Sequence, residues 1–235
     1  MGTELAYLKD AYKREFQATV TKSSPDFVVL DSTYFYPEGG GQPSDKGFIE
    51  FDGKRVEILK VLKENGEVRH YVSSQIPAGS NVKGVIDWER RYKHMRMHTS
   101  QHLVSAVVAD AYNATVAGNQ IGAEKSRIDF HPAEFKDDDL RRIEDLSNSQ
   151  ILKELPVSFS VLPRKEAVDK CRPFRVNWEK YPESLKELRM VEIKGLDFDP
   201  CGGTHVNNTK ELGKVRVLSR ENKGKQRVRI EYELA

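Results

Sequence analysis

The stretch MRMHTSQHLVSAVVADAY, residues 95–112, decides how the chain divides. Within it Met97, Leu103, Val104, Val107, Val108 and Ala111 recur at spacings that fit one stripe of an α-helix. Everything before it reads differently. Residues 16–21 (FQATVT), 27–36 (FVVLDSTYFY), 47–51 (GFIEF), 55–62 (RVEILKVL), 68–72 (VRHYV) and 82–88 (VKGVIDW) are short β-type runs. Ser-Pro-Asp, Asp-Gly and Glu-Asn-Gly turn signals separate them. The change of period near Arg90 predicts two domains, a small β-barrel over residues 1–89 and a second domain over 90–235.

Beyond the helix, residues 136–155 carry Asp138 and Asp139 near their start, with Leu140, Ile143, Leu146, Ile151 and Leu152 on roughly one side. This pattern predicts a second amphipathic helix, its acids set at the positive end of the helix dipole. Residues 157–163, 189–195, 214–220 and 227–234 return to extended patterns. The fold class expected is therefore α+β, a small N-terminal barrel followed by an α+β domain with a mostly antiparallel sheet.

One segment of the barrel is irregular. Residues 37–45, PEGGGQPSD, hold three glycines between two prolines and fit neither a regular helix nor a strand, so a shaped loop is expected.

With 235 residues, 31% charged and 38% hydrophobic, the composition is that of a water-soluble chain, and no apolar run approaches the roughly 20 residues needed to span a bilayer. MGTELAYLKD at the start lacks a signal or lipidation pattern, which points to the cytoplasm and away from a membrane partner. Only two cysteines, Cys171 and Cys201, rule out a disulfide framework. A net charge of +2 does not announce a nucleic-acid partner, so local patches must carry that argument. Arg90, Arg91, Lys93 and Arg96 form one candidate. Lys210, Lys214, Arg216, Arg220, Lys223, Lys225, Arg227 and Arg229 form another.

His98 and His102, one helical turn apart, present both imidazoles on one face and can share a cation. His94 repeats the same spacing, so helix geometry alone does not choose between the 94/98 and 98/102 pairs. The segment Cys201-Gly202-Gly203-Thr204-His205 adds a thiolate and a third imidazole on a glycine loop, with Asp199-Pro200 before it as a further loop signal. Cysteine and histidine suit Zn2+ better than Mg2+ or Ca2+, with iron and cobalt as alternatives. Four protein donors, His98, His102, Cys201 and His205, would close the coordination of one Zn2+ per chain. A catalytic zinc usually keeps a position open, so the metal either loses a ligand or organises a pocket in which neighbours act.

HTSQH and CGGTH, about a hundred residues apart, resemble the paired zinc motifs of the alanyl-tRNA synthetase editing domain and its free-standing AlaX relatives. Residues 35–47 (FYPEGGGQPSDKG) resemble the family's glycine-rich segment, residues 126–130 (SRIDF) its Arg-Phe-Asp-Phe stretch, and residues 204–209 (THVNNT) the continuation of the second zinc motif. Residues 227–231 (RVRIE) depart from the family's Val-Arg-Arg-Ile-Glu and keep only the second arginine of its pair, Arg229. The resemblance covers nearly the whole chain and leaves no room for an amino-acid activation domain. It implies a free-standing editing hydrolase of the longer type, acting on the acceptor end of tRNA(Ala) charged with serine or glycine and needing no ATP.

Such an enzyme must place water and stabilise an oxyanion on an already activated ester. Thr99, beside a ligand, and Gln42, in the glycine-rich loop, are the catalytic candidates. Gly202, Gly203 and Thr204 could donate to an oxyanion or a terminal phosphate. Gly40, Gly41, Asp129 and Arg229 complete the substrate-binding candidates. His70 and His131 read as surface residues, His94 as an RNA-side or solvent contact, and Cys171 as inert. Three rival readings remain open: threonyl-type editing of serine-charged tRNA(Thr), a zinc-stabilised RNA-binding module without catalysis, and a metallo-hydrolase of small esters.

Overall fold

The computed structural model describes residues 2–172, 176 and 178–235, and it divides into two units, residues 1–94 and 95–235.

In the first unit, period-2 patterning gives β1 (Glu4–Leu5), β2 (Glu15–Ser23), β3 (Phe27–Leu30), β4 (Ser32–Thr33), β5 (Gly47–Phe51), β6 (Lys54–Glu64), β7 (Glu67–Val72) and β8 (Asn81–Ile86). Six of these close a barrel in the order β2-β3-β7-β6-β5-β8, every pair antiparallel. Phe16, Val20, Leu30, Ile49, Ile58, Val61 and Val82 fill its interior. The run expected through residue 36 stops earlier, because the Asp31 carboxylate accepts from Thr19 N and Ser32 N, each at 2.8 Å. The short β4 that follows pairs parallel with β1 instead. Gly47 is required by close approach, since a Cβ there would lie 2.1 Å from Val85 O.

The glycine-rich segment folds as a tight turn. Gly39 and Gln42 exchange backbone hydrogen bonds at 3.1 and 2.9 Å, with Gly40 at φ 58° and Gly41 at φ 84°. Behind it the Asp45 carboxylate accepts from Tyr36 N at 2.6 Å and from Arg91 Nε at 3.0 Å through both oxygens. Arg91 and Asp45 are both 0% exposed, which corrects the reading of Arg91 as part of a basic surface patch. Its guanidinium charge is consumed inside the unit. His70 is likewise a core residue and not a surface one: it shares the inward face of β7 with Val68 and Val72 and sits 2.8 Å from Thr33 Oγ1.

Helix α1 (Trp88–Tyr112) begins where a strand was expected to end, because Asp87 Oδ1 accepts from Arg90 N at 3.1 Å and starts the helix. The unit boundary falls within α1, between His94 and Met95.

The second unit adds β9 (Thr115–Gln120), β10 (Lys125–His131), α2 (Asp137–Ile151), β11 (Val157–Pro163), α3 (Arg164–Lys170), β12 (Glu187–Ile193), β13 (Asp197–Pro200), β14 (Val215–Asn222) and β15 (Val228–Leu234). Two antiparallel sheets result, β14-β15-β10-β9 and β11-β12-β13. Helix α2 covers the outer edge of β14: Asn148 donates to Val215 O and accepts from Val215 N, each at 2.9 Å, and Glu144 accepts from Val217 N at 2.8 Å. These side chains satisfy backbone groups that an open edge would expose. The α1 segment of this unit is tied to β15, where Tyr232 Oη donates to Met97 O at 3.2 Å. Residues 199–200, expected in a loop, belong instead to β13, which ends one residue before Cys201. Among the described residues no helix is long and apolar enough to cross a membrane.

Candidate metal centre

The 3.6-residue period of α1 puts His98 and His102 on one face, and the loop leaving β13 brings Cys201 and His205 against them. One donor atom from each of the four residues lies within 4.8 Å of the others. His94 is 1% exposed and outside this group, so the 98/102 pair is the one brought together and His94 is a buried residue rather than an RNA or solvent contact.

Three features hold the loop in place. Cys201 N donates to Arg189 O at 3.0 Å, while the Arg189 guanidinium donates back to Cys201 O at 2.7 Å and to Gly203 O at 3.3 Å. Gly203 N donates to Cys201 Sγ at 3.3 Å, favouring the thiolate. Val206 N donates to Thr99 Oγ1 at 3.2 Å, tying the far end of the loop to α1.

The imidazoles are oriented from behind. His102 Nδ1 lies 2.8 Å from Asp197 Oδ2, and His205 Nδ1 lies 3.1 Å from Thr99 Oγ1. Each ring therefore turns its Nε2 toward the cluster, an outer arrangement typical of metal-bound histidines. Asp197 is a residue the sequence reading missed. Its signal was an acid four residues before the cysteine, which carries meaning only once β13 sets it beside α1. Thr99 is 0% exposed and its hydroxyl is engaged by His205 and Val206.

Electrostatics prepare the same donors. Burial opposes a Cys201 thiolate, yet the His98 imidazole and the hydrogen bonds of His102 and His205 hold its thiol well below the ordinary cysteine range. Burial also opposes charge on His102, but the Asp197 carboxylate and the Cys201 sulfur hold it well above the usual histidine value. Burial drives His205 down to about 3, leaving it neutral.

The donor set can be tested against a metal. Bonds of about 2.3 Å to sulfur and about 2.0 Å to nitrogen at a tetrahedral angle set the two atoms about 3.5 Å apart. Cys201 Sγ lies 3.5 Å from His98 Nε2 and 3.3 Å from His205 Nε2. The residues fit a single ion, and the cluster could hold one.

The other sequence candidates fall elsewhere. Asp129 and Arg229 face each other across β10 and β15 in a bidentate pair, 2.6 and 3.0 Å, and serve the four-stranded sheet. Gly40, Gly41 and Gln42 form the turn of the first unit, with Gln42 0% exposed. Gly202, Gly203 and Thr204 lie in the loop between Cys201 and His205. Of the C-terminal basic run, Arg216, Arg220, Lys223 and Arg229 each pair with an acid, at 3.6, 2.8, 3.1 and 2.6 Å, so that face is partly neutralised.

Comparison with known proteins agrees in both units. Residues 4–90 match the family of class II (A) tRNA synthetases, and residues 188–231 match the second additional domain of threonyl and alanyl tRNA synthetases. These matches define the class, a module shared with the tRNA synthetases. A protein of Methanosarcina barkeri named alanyl-tRNA editing protein AlaX-M is 43% identical, over 99% of both chains. One of the same name from Saccharolobus solfataricus is 39% identical over 98% of both. The alanine–tRNA ligase of Metallosphaera sedula is 37% identical over 98% of this chain and 26% of its own length. The chain belongs to the AlaX-M family of alanyl-tRNA editing proteins.

Proposed function

We propose that the chain deacylates mischarged tRNA(Ala), releasing chiefly serine and, more slowly, glycine, around one Zn2+ held by His98, His102, Cys201 and His205. The observation that carries this reading is the convergence of those four donors, two of them backed by Asp197 and Thr99. The relatives' name supplies the substrate class. In this reading residues 90–235 form the editing domain, residues 1–89 the glycine-rich domain, and the protein works in the cytoplasm.

Bound zinc would supply a Lewis-acid anchor for a polar group of the aminoacyl end. The chain's own residues do the positioning. Asp197 and Thr99 fix two imidazoles, Arg189 fixes the loop carbonyls, and Gly203 N–H is committed to the Cys201 sulfur. Gly202 is then the loop's candidate to donate to the developing oxyanion. Discrimination of serine from correct alanine follows from pairing with the serine hydroxyl, because polar groups left unpaired by alanine raise its barrier; glycine lacks that hydroxyl as well, which makes it the slower substrate.

The closed donor set favours one second reading, a zinc-stabilised RNA-binding module without turnover. One assay separates them. Purified protein, with zinc and after chelation, is incubated with serine-, glycine- and alanine-charged tRNA(Ala). The expected result is rapid, zinc-dependent loss of serine, slower loss of glycine, and alanine retained. Serine loss no faster than spontaneous hydrolysis would overturn the proposal. The His98→Ala variant should abolish turnover while RNA affinity persists; loss of affinity alone, without prior turnover, favours the binding module.

A further inference from the structure

Serine and glycine are small, so a site that acts on them must draw most of its binding energy from the nucleotide end of the substrate. That end is single-stranded, and unpaired bases are held by stacking on exposed aromatic rings, often with arginine beside them. The second unit carries such a ring next to the metal-binding loop.

Phe159 lies on β11, the edge strand of the three-stranded sheet, and is 47% exposed. The register pairs Phe159 with Val191 and Val161 with Arg189, so Arg189 sits diagonally from Phe159 on one face of the sheet. Its guanidinium carbon is 4.8 Å from the centre of the Phe159 ring. The same guanidinium donates to Cys201 O at 2.7 Å and Gly203 O at 3.3 Å. One side chain thus joins an exposed ring to the loop that presents two of the four donors. Val161, 58% exposed, extends the apolar strip by one step along β11.

Phe159 is not needed to fill the core: it leaves about half its surface to solvent, while Val191 opposite it is 1% exposed. The arginine under it supports a ring that accepts a π-face from outside and adds positive charge suited to a nearby phosphodiester. We propose that Phe159, backed by Arg189, is a stacking platform for an unpaired base at the 3′ end of the tRNA. The terminal adenine is the base suited to it, since the aminoacyl ester sits on that nucleotide's ribose and the reacting carbonyl must reach the metal loop. This inference rests on the tRNA-editing reading above and names where that substrate is gripped.

The test uses the full chain with an acceptor-stem minihelix ending in its single-stranded 3′ tail, and the same RNA lacking the terminal adenosine. Phe159→Ala should weaken binding of the complete uncharged minihelix and raise KM for the serine-charged one by roughly 5- to 150-fold, with kcat little changed. Phe159→Trp should restore both, and its added emission should be quenched by the complete RNA but not by the shortened one. Leu152→Ala, at another exposed apolar position, should change neither. Unchanged binding in Phe159→Ala would overturn the platform, and so would unquenched emission in Phe159→Trp. So would a change in oligomeric state in place of RNA affinity, which would mark this face as a protein contact. The two proposals fail separately. Wild type that binds the RNA but never deacylates, with emission quenched in Phe159→Trp, would sink the editing reading only. A wild type that deacylates while Phe159→Ala binds as tightly would sink the platform only.

Discussion

Asp197 Oδ2 lies 2.8 Å from His102 Nδ1, and both residues are buried, at 4% and 7% exposure. The carboxylate fixes the tautomer that leaves Nε2 facing Cys201, and it adds negative charge behind that ring. An amide keeps the acceptor and loses the charge. Asp197→Asn should therefore weaken zinc binding by about 10- to 100-fold, and Asp197→Ala by at least as much. Competition with a chromophoric chelator measures this without reference to turnover. Equal affinity in wild type and Asp197→Asn would remove Asp197 from the site.

Thr99 makes the corresponding contact to His205 and also accepts Val206 N–H at 3.2 Å. Valine has nearly the same shape and no hydroxyl. Thr99→Val should leave a buried N–H unpaired and destabilise the second unit by about 1 to 3 kcal/mol in urea titrations. Thr99→Ser should recover most of the loss. If Thr99→Val is as stable as wild type but loses only discrimination between serine and alanine, Thr99 acts on the substrate instead.

Much of this arrangement was legible in the sequence, for identifiable reasons. Several short β-type runs with turn residues between them are enough to imply a barrel, and the helical stripe after Met97 marks where it stops. What failed were positions ruled by a partner distant in sequence. Asp199-Pro200 signalled a loop, but β13 is an edge strand, and a proline ending an edge strand interrupts no ladder. His94 matches His98 and His102 in spacing, and only the returning loop selects between them. Arg91 reads as surface charge until Asp45, across the barrel chain, is known to face it. His70 was readable and misread: it alternates with Val68 and Val72, and that pattern places it inward.

The Arg91–Asp45 pair gives a stability prediction for the first unit. Both side chains are fully buried, and the guanidinium also donates to Ala11 O at 2.9 Å. Removing the acid leaves a cation in the interior, which costs about 3 to 5 kcal/mol. Asp45→Ala should lower the denaturation midpoint of the barrel strongly, with Asp45→Asn intermediate because an amide can still accept from Arg91 and Tyr36 N. A midpoint for Asp45→Ala within error of wild type would show that the pair contributes little to the fold.

His70 makes the barrel sensitive to acid in a defined window. Burial lowers its pKa from 6.5 to about 4, since the interior favours the neutral ring beside Thr33 Oγ1 and Val28 O. The unfolded chain therefore takes up a proton on this residue at higher pH than the folded chain does. Stability from the neutral ring is complete above about pH 6.5, falls as the pH drops toward about 4, and falls no further below that. The full loss is about 3 kcal/mol, from roughly 1.4 kcal/mol per pH unit over the interval. Carboxylates titrate in the lower part of the same range, so the informative quantity is a difference between two proteins. His70→Leu should be less stable at pH 7, having lost the contact with Thr33, but its stability should decline less steeply between pH 6.5 and 4.5, by close to one bound proton. Urea midpoints across that range, for wild type and variant, give the two slopes. Parallel slopes would mean that burial does not lower the His70 pKa in the folded barrel, and the carboxylates would then account for the acid sensitivity.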